Sequence, residues 1–453
     1  MALMTDASSY LAGACMAALA FGCTPEQQGV TPDSADVITL IRSDYADRLE
    51  GFWLGQSIAN WTGLVTEMDK IGGDGPAGEF YTRDDWGMPD RPNIWSGERS
   101  PLSPNIDWVF EGPDSVWGAD DDTDIEYLYQ HLLLTYRTSL LTGEQIRDGW
   151  LRHIYSDDDT PFRSGDGQPE NFLWVSNQRA FDLMSEHGAV PPATSDPQVN
   201  PYFEMIDAQL TTEIFGLFAP GRPDIALRMA HLPIRTTARG DASLAAEFYV
   251  IMHSLASATD SDQSMKETVH WLAAQARQHL PDESYTAKMF DFVNSRYSAG
   301  VPWEQARDEV YLRYQVEQKD GYEITSRNMT CNGCFASGIN FAASIVSLLY
   351  GEGDYQETVK IAVLAGWDSD NPAATWGGLL GFLLGKEELE RMFGSEFSNR
   401  FDIHRTRKGF PVSGGIDTFA NMAQNGIRIV DQTVRDEMGG LVSEYDDTWR
   451  IPR

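Results

Sequence analysis

Residues 351–384 read GEGDYQETVKIAVLAGWDSDNPAATWGGLLGFLL. The apolar spacing predicts one helix over 354–366 and another over 373–384, with a further helix over 337–350 in front of them. The joint between the last two is Gly366-Trp367-Asp368-Ser369-Asp370-Asn371. Its aspartates, two positions apart in a turn, can both face one ion while their neighbourhood stays apolar. The plainer use of the same residues is to cap the helix that follows Asn371-Pro372. Gly377, Gly378 and Gly381 stand inside the last helix, where each glycine costs about 0.5–1 kcal/mol relative to alanine. Close packing of another helix against this face is the expected reason.

Working upstream, residues 37–60 carry Ile41, Tyr45, Leu49, Phe52 and Ile58 at helical spacing, so the folded part is expected to begin near Val37. A periodic face also runs through Ile125, Leu128, Leu132, Tyr136 and Leu140. Just before it comes Asp120-Asp121-Asp122-Thr123-Asp124. One or two acids would cap that helix and suit its dipole. Four carboxylates in five residues repel one another unless a cation compensates, and hard cations such as Mg²⁺ or Ca²⁺ take oxygen ligands. Between these helices, 70–118 is rich in Gly, Pro, Asp and Trp, and is expected to be an ordered lid. Its Trp86, Trp95, Trp108 and Trp117 could stack on a base or sugar, or simply pack the loop. Glu67, in front of it, is by composition a surface carboxylate.

No alternating series of strands and no fixed-period repeat is seen. The expected fold is all-α: a compact multi-helix domain over 37–453 with long irregular insertions and no sheet of more than two short strands. The tail from 386 on reads as ordinary surface helix and loop.

A chain of 453 residues with 42% hydrophobic content can bury a large core. Its net charge of −34 repels nucleic-acid phosphate, so no nucleic-acid partner is expected. Cys331-Asn332-Gly333-Cys334 shows no further zinc ligands nearby, which leaves a disulfide or buried thiols. Residues 1–36 form a signal-like segment: 9–22 is a short apolar run, too short to span a bilayer, followed by Cys23 and a polar stretch. This resembles a lipoprotein cleavage site, with Cys23 as the lipid-anchor position and a periplasmic or lipid-anchored bacterial location. No basic residue precedes the run, and the alternative is a frayed helix of a cytoplasmic protein.

Three segments together resemble the ADP-ribosylglycohydrolase family, which includes the dinitrogenase reductase-activating glycohydrolases. Asp47 to Asn60, continuing to Gly63 and Glu67, is similar to the family's opening helix. Asp120-Asp121-Asp122-Thr123 is similar to its Thr-Asp-Asp-Thr motif, and Gly366-Trp367-Asp368-Ser369-Asp370-Asn371 to its Gly-x-Asp-x-Asp turn. Ile214 to Gly221 resembles the longer bacterial members. The likeness spans roughly 45–385. It implies an all-α fold and two Mg²⁺ ions, with Mn²⁺ as the alternative. Asp120, Asp121 and Asp122 would hold them from one side, and Asp368, Asp370 and Asn371 from the other. Glu67, Asp121 and Asp370 are the catalytic candidates it suggests. Three departures stand out: Asn60 where aspartate is common, Asn371 in place of threonine or serine, and no histidine near 236–239.

The expected activity is therefore dimetal-dependent cleavage of an N- or O-glycosidic bond in an ADP-ribosyl-type substrate, on a small molecule or a protein. The rivals are a glycosidase of the same fold acting on another glycoside or nucleoside, and an inactive, metal-stabilised binding protein.

Overall fold

The computed structural model describes residues 37–165, 167–259, 263–324, 331 and 333–453. The readings placed on 1–36, Cys23 among them, lie outside the described residues. Cys331 and Cys334 form a disulfide.

The fold is all-α in character, with fifteen α-helices among the described residues. The chain enters on β1 (Val37–Ile41) and turns at once into α1 (Arg42–Gly63). Every residue from Gly51 to Asn60 in α1 is buried, the mark of a central helix. After the irregular stretch that ends in β2 (Trp117–Gly118) come α2 (Asp121–Tyr136) and α3 (Gly143–His153). The small hairpin of β3 (Phe162–Arg163) and β4 (Pro169–Glu170) leads to α4 (Val175–His187). The short α5 (Ile214–Leu217) opens a run through α6 (Pro223–Ile234), α7 (Asp241–Ala256), α8 (Met265–Arg277), α9 (Tyr285–Ser298) and α10 (Trp303–Val310). Then come α11 (Ser337–Gly351), the two helices of the stretch 351–384, α12 (Tyr355–Ala365) and α13 (Asp370–Leu384), and α14 (Lys386–Phe393). The chain closes through β5 (Arg400–Asp402), β6 (Ile416–Thr418), α15 (Phe419–Asp436), β7 (Leu441–Ser443) and β8 (Thr448–Pro452).

The glycines of α13 do what their cost suggested. Its axis lies against α1 so closely that a methyl group on Gly377 would fall 2.3 Å from the Ala59 Cβ and 2.6 Å from the Gly55 carbonyl oxygen. One on Gly63, at the end of α1, would fall 2.3 Å from the Cα of Asp370. The absence of large side chains thus brings the end of one central helix onto the start of the other.

The expectation of no sheet beyond two strands is corrected. One antiparallel sheet has the order β1-β8-β7, with Val37 opposite Pro452. A second has the order β2-β5-β6, with β2 and β5 parallel. Strands of two to five residues carry little periodicity, and the pairings of β1 with β8 and of β2 with β5 join residues hundreds of positions apart. The second sheet positions the site: it delivers β2 to Asp120 and β5 to Arg405. Among the described residues no helix is long and apolar enough to cross a membrane.

Candidate metal centre

The segment after α1 and the turn before α13 are clamped together by backbone. Met68 N–H donates to the Trp367 carbonyl at 2.9 Å, and Trp367 N–H donates to the Lys70 carbonyl at 2.6 Å. Ser369 Oγ donates to the Gly63 carbonyl at 3.1 Å and lies 2.9 Å from Thr66 Oγ1. Gly366 sits at φ +97°, and a Cβ there would press within 2.6 Å of the Lys70 carbonyl, so this turn needs glycine. The clamp sets Glu67 beside Asp368. Asp120 arrives from β2 at the N-cap of α2, where its N–H donates to Thr123 Oγ1 at 3.0 Å.

The result is two groups of three carboxylates. Glu67, Asp368 and Asp370 each offer an oxygen within 4.8 Å of the others, and so do Asp120, Asp122 and Asp370. Asp370 belongs to both. Its Oδ1 is buried and has no hydrogen-bond partner. Asn60 Nδ2 reaches the second group, donating to Asp120 at 3.2 Å, Asp122 at 3.3 Å and Asp370 at 3.5 Å. Asn371 backs Asp122, donating its amide to Oδ1 at 3.0 Å while its own oxygen faces Gln209. Asp121 is half-buried in the cavity wall and belongs to neither group.

Burial, and then the neighbouring carboxylates, push these acids up. Glu67 rises to about 8, first by burial and then by Asp120 and Asp122. Asp122 rises to about 7, and Asp121, Asp368 and Asp370 lie well above the ordinary carboxylate range. Each group therefore has oxygen donors only, mutual repulsion to relieve and, at Asp370, an orphaned buried oxygen. That donor set fits hard divalent cations such as Mg²⁺ or Mn²⁺.

A supporting layer escaped the sequence reading. The tail given no role carries Arg405-Thr406-Arg407. Arg405 Nη1 donates to the Ala119 carbonyl and lies 3.3 Å from Asp120 Oδ1. Arg407 is fully buried, pairs with the equally buried Asp124 at 3.0 Å, and donates to the carbonyls of Asn171 and Phe172. Thr406 Oγ1 donates to the other oxygen of Asp124 at 2.5 Å. The signal available was a basic run in a chain of net charge −34. Deeper still, Glu126 accepts from Gln56 at 2.7 Å, and Glu213 accepts from Thr375 at 3.1 Å and from the Thr212 N–H at 3.2 Å.

Glu67, Asp120, Asp121, Asp368 and Asp370 face a cavity of about 460 Å³, and Trp95, Trp174, Phe335, Leu64, Val175, Ile206 and Leu210 are among its other lining residues. Of the four tryptophans in 70–118, Trp95 alone lines it, stacked on Phe335 with ring centroids 5.7 Å apart. Trp86 and Trp108 pack edge to face, and Trp117 is buried with its N–H on the Ser398 carbonyl. Trp174 carried no signal beyond its residue type.

Residues 41–408 match the family model for ADP-ribosylglycohydrolase. The match reaches past the 385 limit of the motif likeness and takes in Arg405 and Arg407. No curated protein matches the chain. Among solved structures, a chain described as "ADP-ribosylglycohydrolase-related protein complex" is 14% identical, covers 86% of this chain and 99% of its own, and superposes with a TM-score of 0.47.

Proposed function

The chain belongs to the ADP-ribosylglycohydrolase family, and on that premise we propose that it is a glycosidic-bond hydrolase dependent on two divalent cations, Mg²⁺ or Mn²⁺. The observation that carries this reading is the pair of carboxylate groups joined at Asp370 in the floor of the cavity. Glu67, Asp368 and Asp370 would hold one cation, and Asp120, Asp122 and Asp370 the other. Bound there, such ions supply Lewis acidity toward sugar hydroxyls and lower the pKa of water. The protein's own part is orientation and proton transfer. Asp121 faces the cavity without belonging to either group, so its carboxylate is free to take or give a proton at the scissile bond. Glu67 lines the cavity as a member of one group and would orient the attacking water.

Two measurements test this. In calorimetric titration with Mg²⁺, Asp370→Asn loses both binding steps and Asp120→Asn loses one. A panel of ADP-ribose conjugates, nucleosides and aryl glycosides, with and without Mg²⁺, shows metal-dependent release of the sugar. Absence of any such release across the panel sinks the hydrolase assignment in favour of a metal-stabilised binding protein.

A further inference from the structure

We infer that Gln315 is a positioning residue of the carboxylate group Glu67, Asp368 and Asp370: its buried amide fastens Trp367 to the segment that follows Glu67 and so sets where Asp368 stands. The inference rests on the two-cation reading above for what that group does.

The first ground is what Gln315 touches. Its Oε1 accepts from the Trp367 indole N–H at 2.7 Å, and its Nε2 donates to the Ile71 carbonyl at 3.1 Å. An indole N–H only donates and a carbonyl only accepts, so a single orientation of the amide serves both. One side chain from a distant element thus bridges the two segments that carry Glu67 and Asp368. Tyr311 adds a second grip on the first of them, its Oη accepting from the Gly73 N–H at 2.8 Å.

The second ground is the state of Trp367. It stands at φ +58°, a left-handed conformation that a large L-residue seldom adopts, and its side chain is fully buried. A return to negative φ would swing the chain that follows, and Asp368 is the next residue. The indole is held by Gln315 and by the Phe80 ring, with centroids 4.8 Å apart. On the far side the Asp368 N–H donates to Asn340 Oδ1 at 3.3 Å. Removing the Gln315 amide leaves the indole N–H buried without an acceptor and takes away a contact that opposes relaxation of the turn.

The third ground is the turn that presents Gln315. Tyr311–Val316, directly after α10, forms one turn of π-helix, with the Glu317 N–H on the Leu312 carbonyl at 2.9 Å. Such turns are rare and recur at functional sites. Here Leu312 and Val316 are each 51% exposed while Gln315 is buried. Hydrophobic burial alone would choose the reverse. The widened turn gives up apolar burial in order to place an amide.

The test titrates Mg²⁺ by calorimetry into Gln315→Met, which keeps the volume and removes both hydrogen bonds, in two backgrounds. Asp120→Asn leaves the step at Glu67, Asp368 and Asp370, and there Gln315→Met should weaken binding by about tenfold to a hundredfold. Asp368→Asn leaves the other step, and there Gln315→Met should leave the affinity unmoved. Val316→Ser, on the exposed side of the same turn, should move neither. Hydrogen exchange at the Trp367 indole N–H, followed by NMR on the cation-free protein and identified by its loss in Trp367→Phe, should be slow in the wild type and faster in Gln315→Met. Gln315→Asn, one carbon shorter and unable to span both partners, repeats the test if Gln315→Met does not fold. Equal weakening of both steps makes Gln315 merely structural and overturns the inference. So does an unchanged step at Glu67, Asp368 and Asp370, or unchanged indole exchange. In each of these cases Mg²⁺ binding by the wild type leaves the two-cation reading standing. A wild type that binds no Mg²⁺ sinks that reading, and the inference with it.

Discussion

At the scale of single residues, Asn60 stands among the carboxylates of one group. Its amide N–H₂ spans Asp120, Asp122 and Asp370, the three carboxylates of one group, and is a neutral donor where an aspartate would add a fourth charge. Affinity for hard cations follows the charge of the donor set, so this group should bind more weakly than Glu67, Asp368 and Asp370. Asn60→Asp is expected to tighten the weaker Mg²⁺ step by about tenfold or more, visible as convergence of two calorimetric steps. Below the site, burial first and then the charge of Asp122 raise Glu213 to about 8. A raised carboxylate favours the folded protein while protonated. Its contribution is fully present below the unfolded value of roughly 4.3 and is lost as pH rises through about 8. The cation-free protein should therefore lose thermal stability between pH 5 and pH 8, and Glu213→Gln should flatten that slope, since glutamine can keep both contacts to Thr212 and Thr375. Acidic clusters were legible in the sequence because repulsion between adjacent carboxylates needs a reason. Arg405 and Arg407 were not, because a single guanidinium reveals its partner only once the tail has folded back.

At the scale of elements, the fold turns on one helix pair. Glycine inside a helix announces that something must come close, and the sequence of α13 made that legible without naming α1 as the partner. Gly377→Ala would place a methyl group inside the van der Waals radius of Ala59 and the Gly55 carbonyl. The two axes must then separate, at a cost of about 1–3 kcal/mol. Since α1 carries Asn60 and α13 begins with Asp370, the same variant should also weaken Mg²⁺ binding. Thermal denaturation paired with cation titration checks both, and a stability loss with unchanged Mg²⁺ affinity would show that the helix crossing does not set the site. The helices were legible because their periodicity is local. The three-stranded sheets were not, because five residues at 37–41 give no sign that they pair with 448–452.

At the scale of the whole molecule, the C-terminal part is a brace drawn across the acidic helix. The ion pair of Arg407 and Asp124 is completely buried, and removing one partner leaves the other charged and unsolvated. Arg407→Met is expected to cost about 3–5 kcal/mol in urea denaturation, whereas loss of the exposed pair of Arg450 and Asp446 should leave the denaturation midpoint almost unmoved. Equal effects would mean that the brace is incidental. The sequence reading stopped at 385 because no motif lies beyond it. What the tail contributes is a set of contacts with residues more than 230 positions earlier, and such contacts leave no local pattern.

The pairing of Val37 with Pro452 has a mechanical consequence. Because β1 and β8 are antiparallel, the two ends of the described domain emerge side by side. A pull applied at both ends acts across the strand hydrogen bonds one after another, as in opening a zipper, and not along them in shear. The first element to yield under tension would be β1, and the next is α1, which starts one residue after it and runs to the carboxylate groups. Tension on the ends would therefore reach the carboxylate cluster early. Loaded with Mg²⁺, the protein should show its second rupture, and not its first, move to higher force.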